Sequence, residues 1–95
     1  MLTTKQKAYL RGLANPLRAL VLIGKDGLTF NVVESTKAAL DAHELVKISA
    51  QKSCPTDVRE LMLDLMAQTH AESVTQIGRT FVLYRASEKR RIALP

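Results

Sequence analysis

The sequence predicts an α/β domain in which a four-stranded mixed sheet is packed with three helices, in the order α-β-α-β-α-β-β. Three observations carry this. Apolar residues recur at helical spacing in three stretches, short Val-, Ile- and Leu-rich runs alternate with them, and Gly78-Arg79 lies between the last two runs. Strands that alternate with helices require parallel or mixed pairing through crossovers, whereas a two-residue link forces the final pair to be antiparallel. A chain of 95 residues makes one domain, 1–95. At this size the core is modest, and folding buries somewhat under ~70% of the surface that the unfolded chain exposes.

The first helix runs over 4–14. Thr3-Thr4-Lys5-Gln6 matches a capping box with Thr3 as N-cap. Tyr9, Leu10, Leu13 and Ala14 share one side of it, while Lys5, Lys7 and Arg11 mostly take the other. Asn15-Pro16 ends the helix, because a residue before proline avoids helical geometry. A strand over 18–23 follows, and the unbroken run Leu20-Val21-Leu22-Ile23 predicts burial on both of its faces. Gly24-Lys25-Asp26-Gly27 then turns the chain sharply, and Thr29 caps a second helix over Phe30–Asp41. Its apolar stripe is Val32, Val33, Thr36, Ala39 and Leu40, and His43-Glu44 closes it.

Leu45–Ala50 alternates, with Val46, Ile48 and Ala50 on one face and Lys47 and Ser49 on the other, as a half-buried strand does. Cys54-Pro55-Thr56-Asp57 opens a third helix, with Pro55 at its first position and Asp57 complementing the helix dipole. Val58, Leu61, Met62, Leu65, Met66 and Thr69 form its buried stripe, and the helix ends near His70. Val74–Ile77 and Phe81–Tyr84 are the final strands, and a two-residue loop with Gly78 first suits a type II′ hairpin. The tail is polar and basic to Arg91, then apolar enough at Ile92-Ala93-Leu94-Pro95 to dock as an extended piece.

The net charge of +5 is segregated. Residues 1–25 hold Lys5, Lys7, Arg11, Arg18 and Lys25 and no acid. Residues 26–76 hold four bases and eight acids, whereas 77–95 set Arg79, Arg85, Lys89, Arg90 and Arg91 against Glu88 alone. Two basic ends folded onto one face make a surface for a polyanion. No apolar run approaches the ~18 residues of a membrane-spanning helix, and the N-terminus carries no signal-peptide core. A single cysteine excludes an intrachain disulfide, and the whole pattern suits the cytosol.

Catalytic chemistry finds little footing. His43 and His70 stand alone at helix ends, where the dipole favours them, and no Cys/His pair has metal-ligand spacing. Cys54 has no base beside it in sequence and reads as a small residue at a helix start. Asp57, Glu60 and Asp64 form a solvated acidic face, and Gly24–Gly27 lacks the span and the Lys-Ser/Thr end of a Walker loop. The chain therefore reads as a non-enzyme with no metal, cofactor or small-molecule substrate. The turn itself fits a different role. Backbone N–H groups beside a helix N-terminus seat phosphate, and GxxG loops of KH domains clamp a nucleic-acid backbone. With only Tyr9, Phe30, Phe81 and Tyr84 as aromatics, contact should rest on phosphates and shape more than on base stacking.

Several blocks together resemble one family. They are Leu2-Thr3-Thr4-Lys5-Gln6-Lys7, Leu10-Arg11-Gly12-Leu13-Ala14, Ile23-Gly24-Lys25-Asp26-Gly27-Leu28-Thr29, Ala39-Leu40, His43-Glu44-Leu45-Val46-Lys47, Ile77-Gly78-Arg79-Thr80 and Leu83-Tyr84-Arg85. The family is the CRM domain (chloroplast RNA splicing and ribosome maturation), and the likeness is greatest to its stand-alone bacterial, YhbY-like form. Each block is short, but together they cover nearly the whole chain. Ala19-Leu20 replaces a proline frequent in relatives, and Ser53-Cys54-Pro55 is individual to this chain.

The resemblance implies a compact α/β fold similar to the C-terminal domain of translation initiation factor three. It also implies RNA binding and association with precursors of the large ribosomal subunit; plant relatives act in group II intron splicing. The family's GxxG loop falls on Gly24, Lys25, Asp26 and Gly27, next to Thr29 at the start of the second helix. Its basic surface would draw on Lys5, Lys7, Arg11, Arg18, Arg79, Arg85, Arg90 and Arg91. The expectation is thus a monomeric, cytoplasmic RNA-binding protein of ribosome assembly that contacts no membrane. The alternatives are a protein–protein adaptor, docking through the apolar end of the tail and the acidic third helix, and a DNA-binding module.

Overall fold

The computed structural model describes all 95 residues. Three helices and four strands follow the expected order: α1 Thr4–Ala14, β1 Val21–Ile23, α2 Phe30–His43, β2 Leu45–Ala50, α3 Val58–Thr69, β3 Glu72–Ile77 and β4 Thr80–Tyr84. The sheet order is β1-β2-β4-β3. β1 pairs parallel with β2, with Val21 opposite Ile48, and α2 forms the crossover between them. β4 pairs antiparallel with both β2 and β3, so the sheet is mixed. An irregularity between Ser73 and Thr75 lets β3 bend. No helix is long and apolar enough to cross a membrane.

The alternation of β2 sets up two apolar layers. Val46, Ile48 and Ala50 join Val21, Ile23, Phe81 and Leu83 on the face covered by α2 and α3, in a cluster of 14 buried residues. Leu45 joins Val74, Val82 and Tyr84 on the other face, which α1 covers with Leu10 and Ala14 in a cluster of 7. Leu2 belongs to the second layer, and Ile92 and Leu94 of the tail pack against it, so the apolar end of the chain docks as expected. The stripes of α2 and α3 are also those read from the sequence, with Thr36 and Thr69 turning their hydroxyls back to the carbonyls of Val32 and Leu65. Thr3 and Gln6 form the capping box of α1, with both reciprocal bonds in place.

Four details depart from the expectation. β1 is regular strand only from Val21, although the Leu20 N–H already donates to the Lys47 carbonyl, and its pattern is buried-exposed-buried, with Leu20 and Leu22 open at 56% and 58%. The apolar run is continuous, but α1 covers the sheet near β2 and β3 and leaves the outer side of β1 bare. In α1, Tyr9 and Leu13 stay exposed for the same reason, and only Leu10 and Ala14 are buried. α3 begins three residues later than expected, because Asp57, not the residue before Pro55, is its N-cap and accepts from the Arg59 N–H. Finally, α2 runs on to His43 and is ended by Glu44, which takes a positive φ of 66° as C-cap.

Candidate nucleic-acid interface

Gly24–Gly27 is a β-turn closed by the Gly27 N–H donating to the Gly24 carbonyl at 3.0 Å. Lys25 and Asp26 form its exposed tip. Gly27 has φ of +67°, a conformation that costs any side chain strain, so glycine belongs at this fourth turn position. Thr29 then caps α2, its hydroxyl accepting from the Val32 N–H at 3.2 Å. Val33 donates to the Thr29 carbonyl. The first two N–H groups of α2, on Phe30 and Asn31, are left to solvent, as helix geometry dictates. The first turn of α2 contains no acid. The turn is therefore followed within a few residues by open N–H groups and the positive end of the helix dipole.

A second segment closes around the turn. Gln51 donates its N–H to the Ile23 carbonyl at 2.7 Å, continuing the β1–β2 pairing to the edge of the turn. Its side-chain oxygen would lie 3.3 Å from a Cβ at residue 24, and Thr56 Oγ1 lies 3.8 Å from where a Cβ of residue 27 would sit. Arg79 is at the tip of the β3–β4 hairpin, whose Gly78 has the positive φ (58°) that a type II′ turn requires. The Arg79 guanidinium donates to the Gln51 carbonyl at 3.4 Å, while the Arg79 carbonyl accepts from Ala50. Lys25, Gln51, Lys52 and Arg79 thus gather at one end of the sheet, with Asp26 in the turn itself and the cap Asp57 lining a hollow with Arg79.

The other bases expected at the interface do not converge on this end. Lys5, Lys7 and Arg11 are exposed on α1, across the sheet from α2. Arg18 lines an apolar groove of about 420 Å³ with Leu13, Leu17, Leu20, His43 and Lys47. Arg90 and Arg91 are exposed in the tail, whose anchor is Glu44 at the opposite end of the sheet.

Arg85 departs furthest from its expected role. Its guanidinium pairs with Asp41 and donates to the carbonyls of Thr69, at 2.6 Å, and Lys37, at 3.4 Å. It ties the C-terminal ends of α2 and α3 to the end of β4, and those bonds leave its fork little to offer a phosphate.

Two residues occupy positions that the sequence did not disclose. Glu44 is fully buried, yet its carboxylate accepts from the Ser87 hydroxyl and N–H and from the Ile92 N–H. Burial by itself would raise its pKa; the bonds from Ser87, Ile92 and Arg91 outweigh that and hold it at about 2. Nothing in the local sequence reports this, since the partners lie 43 to 48 residues away. The other is Phe30, which is 77% exposed at the first position of α2. Glu44 also helps burial to raise the pKa of its neighbour Tyr84, burial being the larger cause.

The fold agrees with a known family. The model of the CRS1 / YhbY (CRM) domain matches residues 2–85. The chain belongs to the CRM family. An "RNA-binding protein" of Haemophilus influenzae is 39% identical over 95 residues, covering 99% of this CRM chain and 95% of that protein. The Bacillus subtilis protein named "Probable RNA-binding protein YqeI" is 38% identical with both chains covered in full. Among solved structures, a Staphylococcus aureus protein described as a candidate RNA-binding protein superposes on this CRM domain with a TM-score of 0.83, at 38% identity and full coverage of both chains. The α/β architecture and the family expected from the sequence are therefore both established.

Proposed function

We propose that this chain binds RNA, specifically ribosomal RNA in precursors of the large ribosomal subunit, and acts as a non-enzymatic assembly factor in the cytoplasm. The observation that carries the reading is the gathering of the Gly24–Gly27 turn, the uncapped N–H groups of α2 and the Arg79 guanidinium at one end of the sheet. Phosphates sit against the turn and the helix start, and Lys25 and Arg79 flank them. Family membership and the names of the relatives support RNA as the polyanion.

The turn end carries little net charge, because Asp26 and Asp57 offset Lys25, Lys52 and Arg79. Affinity therefore draws also on the acid-free face of α1, where Lys5, Lys7 and Arg11 follow a longer strand round the β1 edge, together with Arg18. Ile92 and Leu94, the apolar residues through which the adaptor alternative would dock, are partly buried against the chain's own sheet.

The test is filter binding of ribosomal RNA fragments to the Lys25→Ala, Gly27→Asp double variant. The expected result is affinity at least tenfold lower with an unchanged circular-dichroism spectrum, and wild-type affinity falling steeply with salt. Equal affinity of the folded variant sinks the turn as the phosphate seat. Duplex DNA bound as tightly as RNA favours the DNA module instead.

A further inference from the structure

Phe30 makes no contribution to either core, although it is one of only four aromatic residues. The other three are placed differently. Phe81 and Tyr84 are buried at 0% and 6% exposure, and Tyr9, at 44%, lies on α1 beyond the sheet. An apolar ring that is 77% exposed at the first helical position serves neither packing nor helix start, where proline or an acid would do better.

Its position relative to the turn is set by helix geometry. Every Cα–Cβ bond in a helix leans toward the N-terminus, so the ring of the first residue leans back over the turn that precedes it. The backbone N–H of the same residue is one of the two left open at the start of α2. One residue thus offers a donor for a phosphate and, a few ångströms away, a flat apolar face.

From this placement we infer that Phe30 is a stacking platform for an unpaired nucleobase, and that the turn end of the domain takes single-stranded RNA in preference to duplex. This rests on the turn as phosphate seat and adds the substrate class. A strand whose phosphate sits on the turn can turn its base onto the ring only if that base is not held in a helix. The stacking is tolerant of sequence, because every base has a π-face. It is compatible with contact that rests on phosphates and shape more than on stacking, since one exposed ring serves one base.

The chain has no tryptophan, so Phe30→Trp places a single reporter at the site. Three labelled probes are compared by anisotropy: an oligoadenylate of about twelve nucleotides, an abasic ribose-phosphate oligomer of the same length, and the corresponding duplex. The oligoadenylate is expected to quench the tryptophan and the abasic oligomer to leave it unchanged. Phe30→Leu, which keeps an apolar side chain without a π-face, is expected to bind the oligoadenylate about tenfold more weakly and the other two probes as wild type does. Equal quenching by the abasic oligomer, or full affinity of Phe30→Leu while the Lys25→Ala, Gly27→Asp variant loses binding, overturns stacking and leaves the phosphate seat standing. Full affinity of both variants overturns the seat and the stacking together.

Discussion

The two ends of the sheet use charge in opposite ways. At the tail end, Glu44 and Arg85 are enclosed by partners: the carboxylate by Ser87 and Ile92, the guanidinium by Asp41, Thr69 and Lys37. At the turn end, Lys25 and Asp26 stand in solvent and Arg79 makes one long bond to a backbone carbonyl. A charge enclosed by partners within the fold has its geometry and its energy committed to stability. A charge left open contributes little to stability and remains available to a ligand. The difference separates two arginines that look alike in the sequence, Arg79 and Arg85.

The comparison can be broken most sharply at Glu44. Replacing it with alanine leaves the N–H groups of Ser87 and Ile92 without their acceptor and opens space in the core. Urea unfolding should show a loss of about 3 kcal/mol. The folded fraction should bind RNA as before, and a parallel loss of RNA affinity would mean the ends are coupled.

The same carboxylate sets an acid response. Its pKa in the folded state, about 2, lies below the ordinary value of 4.5, so its contribution is complete above 4.5 and is lost as pH falls toward about 2. Across that window the wild type should lose up to about 3 kcal/mol more than the Glu44→Gln variant. Denaturation midpoints that fall in parallel for the two proteins would remove Glu44 as the cause.

The paired arginines give smaller effects that sharpen the contrast. Arg85→Met should cost about 2 kcal/mol, the scale of bonds made by a charged donor, and leave the salt dependence of RNA binding untouched. Arg79→Met should leave stability within about 0.5 kcal/mol of wild type, yet lower the slope of log affinity against log salt by about one. Smallest of all should be the joint change of Arg90 and Arg91 to Gln, with thermal midpoint and turn-end affinity both close to wild type. An effect on RNA binding as large as that of Arg79→Met would bring the tail into the interface.

How much of this was legible in the sequence depends on how local each signal is. The stripes of α2 and α3, the Thr3–Gln6 capping box, the Gly78 hairpin and the alternation of β2 depend on neighbours within a few residues, and they were read correctly. The glycine turn was legible as a turn. Its convergence with Gln51 and Arg79 was not, because it comes from pairing across the sheet. The four apolar residues at 20–23 look the same whichever side is covered; the placement of α1 over β2 and β3 left Leu20 and Leu22 bare. Arg85 read as one more basic residue near the end because Asp41 lies 44 residues earlier. Phe30 was hidden for another reason: a count of aromatics carries no information on which of them face water.

The sheet bears two cores back to back, one of 14 residues and one of 7, and the smaller is closed by the two ends of the chain. Lifting α1 and the tail away would break no strand pairing and would leave the larger core intact. Such an opening lies well below global unfolding in free energy. Amide protons should therefore divide into two classes. Those near Leu10 and Ala14 would exchange with deuterium through this partial release, while those of Ile48, Leu65 and Phe81 would wait for the whole domain to unfold. The helix that bears Lys5, Lys7 and Arg11 would then be the most easily detached part of the fold, able to adjust to a bound strand while the turn end keeps its shape.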